Sequence, residues 1–531
     1  MTGTTEPEGA PPAVAVEDDD KITPDILKVA GVVVLGAIMS ILDITVVNVA
    51  LPTFQTEFDV SAYSTVAWTV TAYTLALATV IPLTGWAADR FGTKRLYMAA
   101  VGLFTIGSVL CATAWSIEAL IGFRVLQGLG GGMLMPLGMT IMTKAAGPKR
   151  MGRLMAILGI PMLLGPICGP ILGGWLIDSA SWHWIFLINL PLGIGALVYS
   201  FIVLPSDTPE PSESFDFLGM ALMSPGLALF LYGVSSIPSE GTVQATKVLV
   251  PAIIGFVLIV TFVFYSFRPR HPLLDLRLFA NRNLAVAIIV MVLFVMAFFG
   301  ALLLVPTYFQ QVRSESVLKA GLLVAPQGLG AMLTMPVAGA LSDKFPIGRV
   351  VPFGFVGIII GMLGLSQTGA DTSYLQIMAW LFVMGLGMGG TMMPIMTSAL
   401  KTLKAHDVAR GSTLINVLQQ VGSSIGVALM SVLLTNHFKD SSAASAYQAI
   451  GEAKMHEKEP PSWAVEVMNK LGDSFVPTAL HDMADAFSST YLVALAILVV
   501  ALIPVAFLPR KHEESHLLDD DSEGAGPMLM H

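Results

Sequence analysis

Charge is scarce in this sequence. Of its 531 residues, 12% are Asp, Glu, Lys or Arg and 54% are hydrophobic, whereas an ordinary soluble domain is about 25% charged. So few charges cannot cover a water-facing surface, which excludes a soluble globular protein. Cysteine is scarcer still. Cys111 and Cys168 are the two in the chain, and both fall in apolar stretches, so neither a disulfide framework nor a thiolate metal cluster is indicated. The apolar stretches also lack any grouping of His, Asp, Glu, Cys or Ser near one interface, as a membrane enzyme would need. His183 stands alone at a helix end, and the expectation is no enzyme, no metal and no cofactor. No glycine-rich phosphate cradle occurs, so ATP drive is not suggested, and no nucleic-acid partner is expected.

What the sequence does have is apolar runs of about 20 residues, one after another from Leu27 to Leu508, each long enough to cross a bilayer core of about 30 Å. The breaks between them predict helices near 27–51, 64–87, 96–114, 116–140, 153–177, 183–204, 216–236 and 246–267, then 284–309, 318–341, 349–368, 374–398, 412–435 and 489–508. The fold class is therefore an all-α integral membrane protein of about fourteen spans. No short apolar region with a cleavage site precedes the first span, which is expected to stay in the mature protein.

Basic residues concentrate after the even-numbered spans, among them Arg90, Lys94, Arg95, Lys144, Arg150, Arg153, Arg277, Lys344, Arg349, Lys401 and Arg410. The short odd-numbered breaks hold Lys247, Arg313 and Lys319. The positive-inside bias then puts both termini in the cytoplasm of an inner-membrane protein. The break PSDTPEPSESFD opposes that trend, with four acids and no base. The net charge of −9 arises largely in two acidic tails, expected to be disordered and cytoplasmic.

A repeat divides the chain. PLTGWAADRFGTKR (82–95) recurs as PVAGALSDKFPIGR (336–349): Pro82, Gly85, Asp89, Arg90, Phe91 and Arg95 match Pro336, Gly339, Asp343, Lys344, Phe345 and Arg349 at one offset of 254 residues. Each copy ends the second helix of a six-helix block. The expected organisation is a tail (1–26), a six-helix bundle (27–204), two additional helices with a linker (205–283), and a second bundle (284–508). That second bundle carries an external loop (437–488), and an acidic tail (509–531) follows. Duplicated halves around a central path are how secondary transporters alternate access. Together with a paired intramembrane acid, they argue for a carrier over a channel.

Asp43 is singled out by cost, since a carboxylate inside a span is penalised by about 2.5–3.5 kcal/mol and is kept where it serves a path or a partner. At ~1.5 Å per residue, Asp43 lies about 24 Å from the cytoplasmic end of its helix and Arg124 about 12 Å below the outer surface, which is the same level. The pair reads either as a lock between two helices or as a proton-exchange site. On the fourth helix, Arg124, Gln127, Gly128 and Gly131 share one face. That face either meets the cavity, with Gln127 touching cargo, or serves close packing. On the fifth, Gly165, Gly169 and Gly173 alternate with Pro161, Pro166 and Pro170, and Gly174 follows. They form a thin, weakly bonded face that suits a pliable seam between halves, or a kinked packing helix. Cavity candidates are Trp68, Tyr73, Gln127, Met133, Met135, Phe298, Asn416, Gln419 and Gln420.

The motif GWAADRFGTKR closely resembles the signature loop of the major facilitator superfamily. Other segments resemble the fourteen-helix drug:proton antiporter branch of that family, in order: LDITVVNVALP (42–52), RVLQGLGGGMLMP (124–136), GPICGPILGG (165–174), WHWIFLINLPLG (182–193) and HPLLDLRLFANRN (271–283). Two departures are Thr93 and Gln419, where Arg is usual or frequent in the branch. The resemblance implies a proton-coupled antiporter exporting small hydrophobic or amphipathic compounds, with the alternative of an exporter dedicated to one lipid, siderophore or peptide. It implies proton exchange at Asp43 and Arg124, and an exporter motif at Gly165, Pro166, Gly169, Pro170, Gly173 and Gly174. It also implies a conformational latch of Gly85, Asp89, Arg90, Arg95, Asp343 and Lys344, in which the acid caps a neighbouring helix. Lipid, protons and small-molecule cargo are the implied partners, and a periplasmic adaptor protein is left open.

Overall fold

The computed structural model describes residues 22–60, 63–146, 150–205, 214–237, 242–269, 271–401, 403–404, 407–455 and 459–511, and these are helical with no strand among them. The two tails, Lys149, Arg270 and most of the acidic break at 205–216 lie outside the described residues. The first bundle comprises α1 (Pro24–Glu57), α2 (Tyr63–Phe91), α3 (Thr93–Ala112), α4 (Ile117–Ala146), α5 (Met151–Ser179), a single turn α6 (Trp184–Leu187) and α7 (Asn189–Val203). Next come α8 (Phe217–Ser235) and α9 (Thr246–Tyr265). The second bundle holds α10 (Arg282–Gln311), α11 (Val317–Lys344), α12 (Ile347–Leu365), α13 (Tyr374–Gly389) with its continuation α14 (Met392–Lys401), and α15 (Val408–Asp440). It ends with α16 (Ser442–Met455), α17 (Ser462–Leu471) and α18 (Phe475–Val505). Thirteen helical segments of the described residues are long and apolar enough to cross a membrane. The 29-residue α5 brings the bundle to fourteen.

Local signals start many of these helices. Asp216, Asn281, Ser316 and Ser373 each accept a hydrogen bond from a backbone N–H in the first turn that follows, which satisfies donors that a helix start leaves open. The outer faces are apolar where water would demand charge. Phe353 is 81% exposed and Ile202 and Phe264 are each 73% exposed, as lipid contact requires.

The described residues of 437–488 are mostly helical rather than a loop. The span α15 continues to Asp440, α16 and α17 follow, and the last helix starts at Phe475, well before residue 489. Ala446, Ala464 and Phe475 form a small core of their own between these helices. Two short helices of 14 and 10 residues around a Pro460–Pro461 break are too short to read as spans in sequence.

The two additional helices are not peripheral ornaments. Leu227 and Leu231 of α8 pack with Ala78 and Ile81 of α2 and with Val417 of α15, so α8 bridges the two halves. The Ser224 hydroxyl donates to the Thr79 carbonyl at 2.8 Å. Asp216 holds this unit together, because its carboxylate accepts from Gly219 N at 2.8 Å, Tyr265 OH at 2.8 Å and Leu273 N at 3.1 Å. Asp216→Ala removes all three and is expected to cost about 3 kcal/mol, read as an earlier thermal unfolding of the purified protein. An unchanged melting curve would mean that the clamp carries no load.

Candidate functional site

Asp43 is 1% exposed and Arg124 and Gln127 are fully buried. The Arg124 guanidinium donates to one carboxylate oxygen of Asp43 at 2.5 Å, and the Gln127 amide donates to the other at 2.7 Å. Asn189, at the start of α7, adds a longer contact to that second oxygen at 3.3 Å and donates to Ser108 Oγ at 3.0 Å. Arg124 is itself tied down, since its Nε donates to the Thr69 carbonyl at 2.9 Å and its guanidinium lies 4.1 Å from the centre of the Tyr73 ring. One of its nitrogens, Nη2, has no hydrogen-bond partner among the described residues. Five helices, α1, α2, α3, α4 and α7, thus contribute to the cluster around one carboxylate. A buried ion pair keeps its charges only where hydrogen bonds satisfy both partners, and here they nearly do.

This cluster is walled off from the central cavity. The cavity, about 310 Å³, lies between the two bundles. Met135, Phe298 and Phe299 supply apolar wall, Gln327, Asn416, Gln419 and Gln420 supply amides, and none of the described lining residues carries a charge. One polar thread joins the two sites. Ser40 lines the cavity and its hydroxyl lies 3.1 Å from the Tyr73 hydroxyl, whose ring underlies Arg124.

On the face carrying the motif repeat, called the basic face below, the halves touch through small residues. A Cβ on Gly152 would lie 2.3 Å from the Gly339 carbonyl oxygen. The reciprocal Cβ on Gly339 would lie 2.5 Å from the Gly152 oxygen. Asp343, 2% exposed, accepts from Gly152 N at 2.8 Å and Arg153 N at 3.3 Å, and meets Arg153 Nε at 3.2 Å and Lys401 Nζ at 3.3 Å. It therefore caps the N-terminus of α5 from across the interface, where a negative charge also meets the positive end of the helix dipole. The counterpart crossing is looser. Asp89 Oδ2 lies 3.7 Å from Arg410 Nε, and a Cβ on Gly85 would lie 3.1 Å from the Thr413 hydroxyl.

Residues 33–427 match the family model of the Major Facilitator Superfamily. The chain belongs to that superfamily. It is 48% identical over 520 residues to the "Multidrug resistance protein B homolog" of Mycobacterium tuberculosis, covering 96% of this chain and 95% of the relative. It is 30% identical over 404 residues to the "Multidrug export protein EmrB" of Escherichia coli K12, covering 76% and 79%. Among solved structures, the human organic anion transporter MFSD10 superposes with a TM-score of 0.57 at 15% identity, covering 90% of this chain and all of that one. That likeness concerns the fold alone.

Against this major facilitator architecture, the residues predicted from sequence sort unevenly. The structure places Met135, Phe298, Asn416, Gln419 and Gln420 in the cavity wall. It does not place Trp68, Tyr73, Gln127 or Met133 there. Trp68 stacks on Tyr232 of α8 at 5.4 Å, so the additional helices occupy the face once assigned to cargo. Tyr73 and Gln127 are fully buried in the Asp43 cluster, because a cation and a carboxylate out of water claim every polar group in reach. Met133 is 9% exposed and packs in the core.

The α5 glycine face is not a seam between halves. Gly165, Gly169 and Gly173 lie against Ile41, Thr45 and Val46 of α1, within the same bundle, and Gly174 faces open space. The side chains of Pro166 and Pro170 lie outside the described part. What crosses between halves is the earlier part of α5, at Gly152 and at Gly159, whose Cβ would lie 2.8 Å from Met335 Sδ. Arg90, Arg95 and Lys344 are exposed on the basic face.

Sequence reading missed Gln327. It is 3% exposed, lines the cavity from α11, and its Oε1 has no partner among the described residues. A glutamine in an apolar run gives no periodic signal to mark it. Gln327→Leu is expected to weaken binding of cargo bearing hydroxyl or amine donors by about tenfold, the worth of one hydrogen bond of about 1.4 kcal/mol, and to leave purely apolar cargo unaffected. Equal losses for both cargo types in a binding assay would remove Gln327 from the cargo site.

Proposed function

We propose that the protein is a proton-driven exporter that carries small uncharged or lipophilic compounds out of the cytoplasm. The observation that carries this reading is a fully buried Asp43–Arg124 pair next to a cavity with no charged wall. Export of drugs follows the printed names of the relatives. The adaptable Met and aromatic surface of the cavity supports breadth over dedication to one metabolite.

In this reading both termini are cytoplasmic and the basic face is the inner one. Asn189 and Ser108 continue the polar cluster toward the outer ends of α7 and α3, which is the proton's entry side. Protonation of Asp43 discharges its pair with Arg124. The guanidinium, which also packs on Tyr73, shifts, and the Tyr73–Ser40 contact passes the change to the cavity wall, where cargo is released outward. With the cargo gone, the Asp343 cap on α5 opens, the halves rock, and Asp43 loses its proton to the cytoplasm. An entering proton supplies about 2.3 kcal/mol for each 100 mV of potential, which is enough to concentrate a neutral solute.

Dye export into inverted membrane vesicles tests this directly. Uptake should collapse when an uncoupler dissipates the gradient, and uptake that survives the uncoupler would rule out proton drive.

A further inference from the structure

A second cavity lies away from the cargo path, on the lipid-facing side of the second bundle. It measures about 500 Å³ and runs between α11, α12 and α13. Its walls are apolar along almost the whole length, with Val337 and Leu341 on α11, Phe353 on α12, and Val383 and Leu386 on α13. Val337 and Phe353 are 59% and 81% exposed, so the groove opens sideways into the hydrocarbon. Gly354, Gly357, Gly387 and Gly390 form its floor, where α12 and α13 cross with a Cβ on Gly387 only 2.4 Å from the Gly354 oxygen. The deep end is sealed without an open polar group, since the Thr334 hydroxyl is spent on the Leu386 carbonyl at 2.8 Å.

The other end is cationic. Arg349 lines the mouth at the basic face and is exposed, with no hydrogen bond or ion pair to its side chain among the described residues. The nearest acid in sequence, Asp343, is turned away onto α5, Arg153 and Lys401. Exposed Lys344 adds a second positive charge nearby. From Thr334 to Phe345 the groove follows about 17 Å of helix, which is about half of a 30 Å hydrocarbon core and so the depth of one leaflet. A groove one leaflet deep, apolar inside and basic at the surface, has the shape and charge of a single phospholipid.

We propose that this groove holds one anionic phospholipid, an acyl chain lying over the α12–α13 glycine floor and its phosphate on Arg349. The site lies on α11, the helix that carries both Gly339 and Asp343 of the contact between halves. An occupied groove therefore bears on the element that moves.

The test uses the full-length protein extracted in mild detergent and incubated with equimolar phosphatidylglycerol and phosphatidylcholine, with bound lipid counted by native mass spectrometry. Wild type should retain one phosphatidylglycerol in preference to phosphatidylcholine. Arg349→Gln, a surface change that disturbs no packing, should lower that preference about fivefold, the worth of one Lys or Arg beside an anionic headgroup. Val337→Trp, which fills the groove from its exposed wall, should lower retention of both lipids. Equal retention of the two lipids by wild type, an unchanged preference in Arg349→Gln, or a dimer without bound lipid would each overturn the assignment. The assay measures binding without transport, so its outcome is independent of whether the cargo is proton-coupled.

Discussion

Asp43→Asn should reduce export driven by an imposed pH difference by at least a hundredfold, with cargo still able to exchange when no gradient is applied. The two amide-for-acid shapes are nearly the same, so the cavity, about 310 Å³ and separated from Asp43 by Ser40 and Tyr73, keeps its wall. What changes is charge. The Asn cannot take up or give back a proton, and the Arg124 cation loses the carboxylate that sat 2.5 Å away. Leaving one member of a buried pair costs about 3–5 kcal/mol, so a lower yield of folded protein is expected beside the transport defect. Gradient-free exchange separates the two effects, because an unfolded variant exchanges nothing. A variant that exchanges at the wild-type rate and also exports at the wild-type rate would show that Asp43 is only a lock between helices.

Gly152→Val should cut turnover by about 5- to 150-fold through a different route. The basic face closes only because Gly152 and Gly339 bring two backbones together, with a Cβ on Gly152 meeting the Gly339 oxygen at 2.3 Å. Such a contact must give way by a backbone shift, and overpacking of this kind costs about 1–3 kcal/mol, a shift of about 5- to 150-fold between two states. The cost falls on the state closed at the basic face, so the opposite state gains population. A cysteine placed at Asn416, in the cavity wall, should then react faster with a thiol reagent applied from the basic face. Gly85→Val should act more weakly, because a Cβ there comes no nearer than 3.1 Å to the Thr413 hydroxyl and 3.3 Å to the Arg410 Cα. Equal effects at the two positions would mean that the α5–α11 crossing has no special part in closure.

Much of this was legible in the sequence, and the limits have physical causes. Fourteen apolar runs and a repeat at a fixed offset define the bundle because a bilayer leaves a chain few ways to cross it. Asp43 and Arg124 were matched by depth because an intramembrane charge needs a partner and rise per residue fixes its level. Faces were legible but their partners were not. The α5 glycines form a flat strip in any reading, yet only packing reveals that α1 covers it through Ile41, Thr45 and Val46. Gln127 lies on the predicted polar stripe and spends its amide on Asp43, since sequence cannot tell a buried carboxylate from a cavity as the target of that stripe. Trp68 failed as a cavity residue because α8 folds back over α2, a docking that no motif announces.

The central claim is that proton exchange at Asp43 is coupled to movement of cargo. Its most direct test is cargo-induced proton movement in sealed proteoliposomes loaded with a pH-sensitive dye and held without any imposed gradient. Adding cargo on one side should release protons to that side in proportion to the cargo carried across, and the Asp43→Asn protein should move none. Cargo that crosses the wild-type protein with no accompanying pH change would contradict the account.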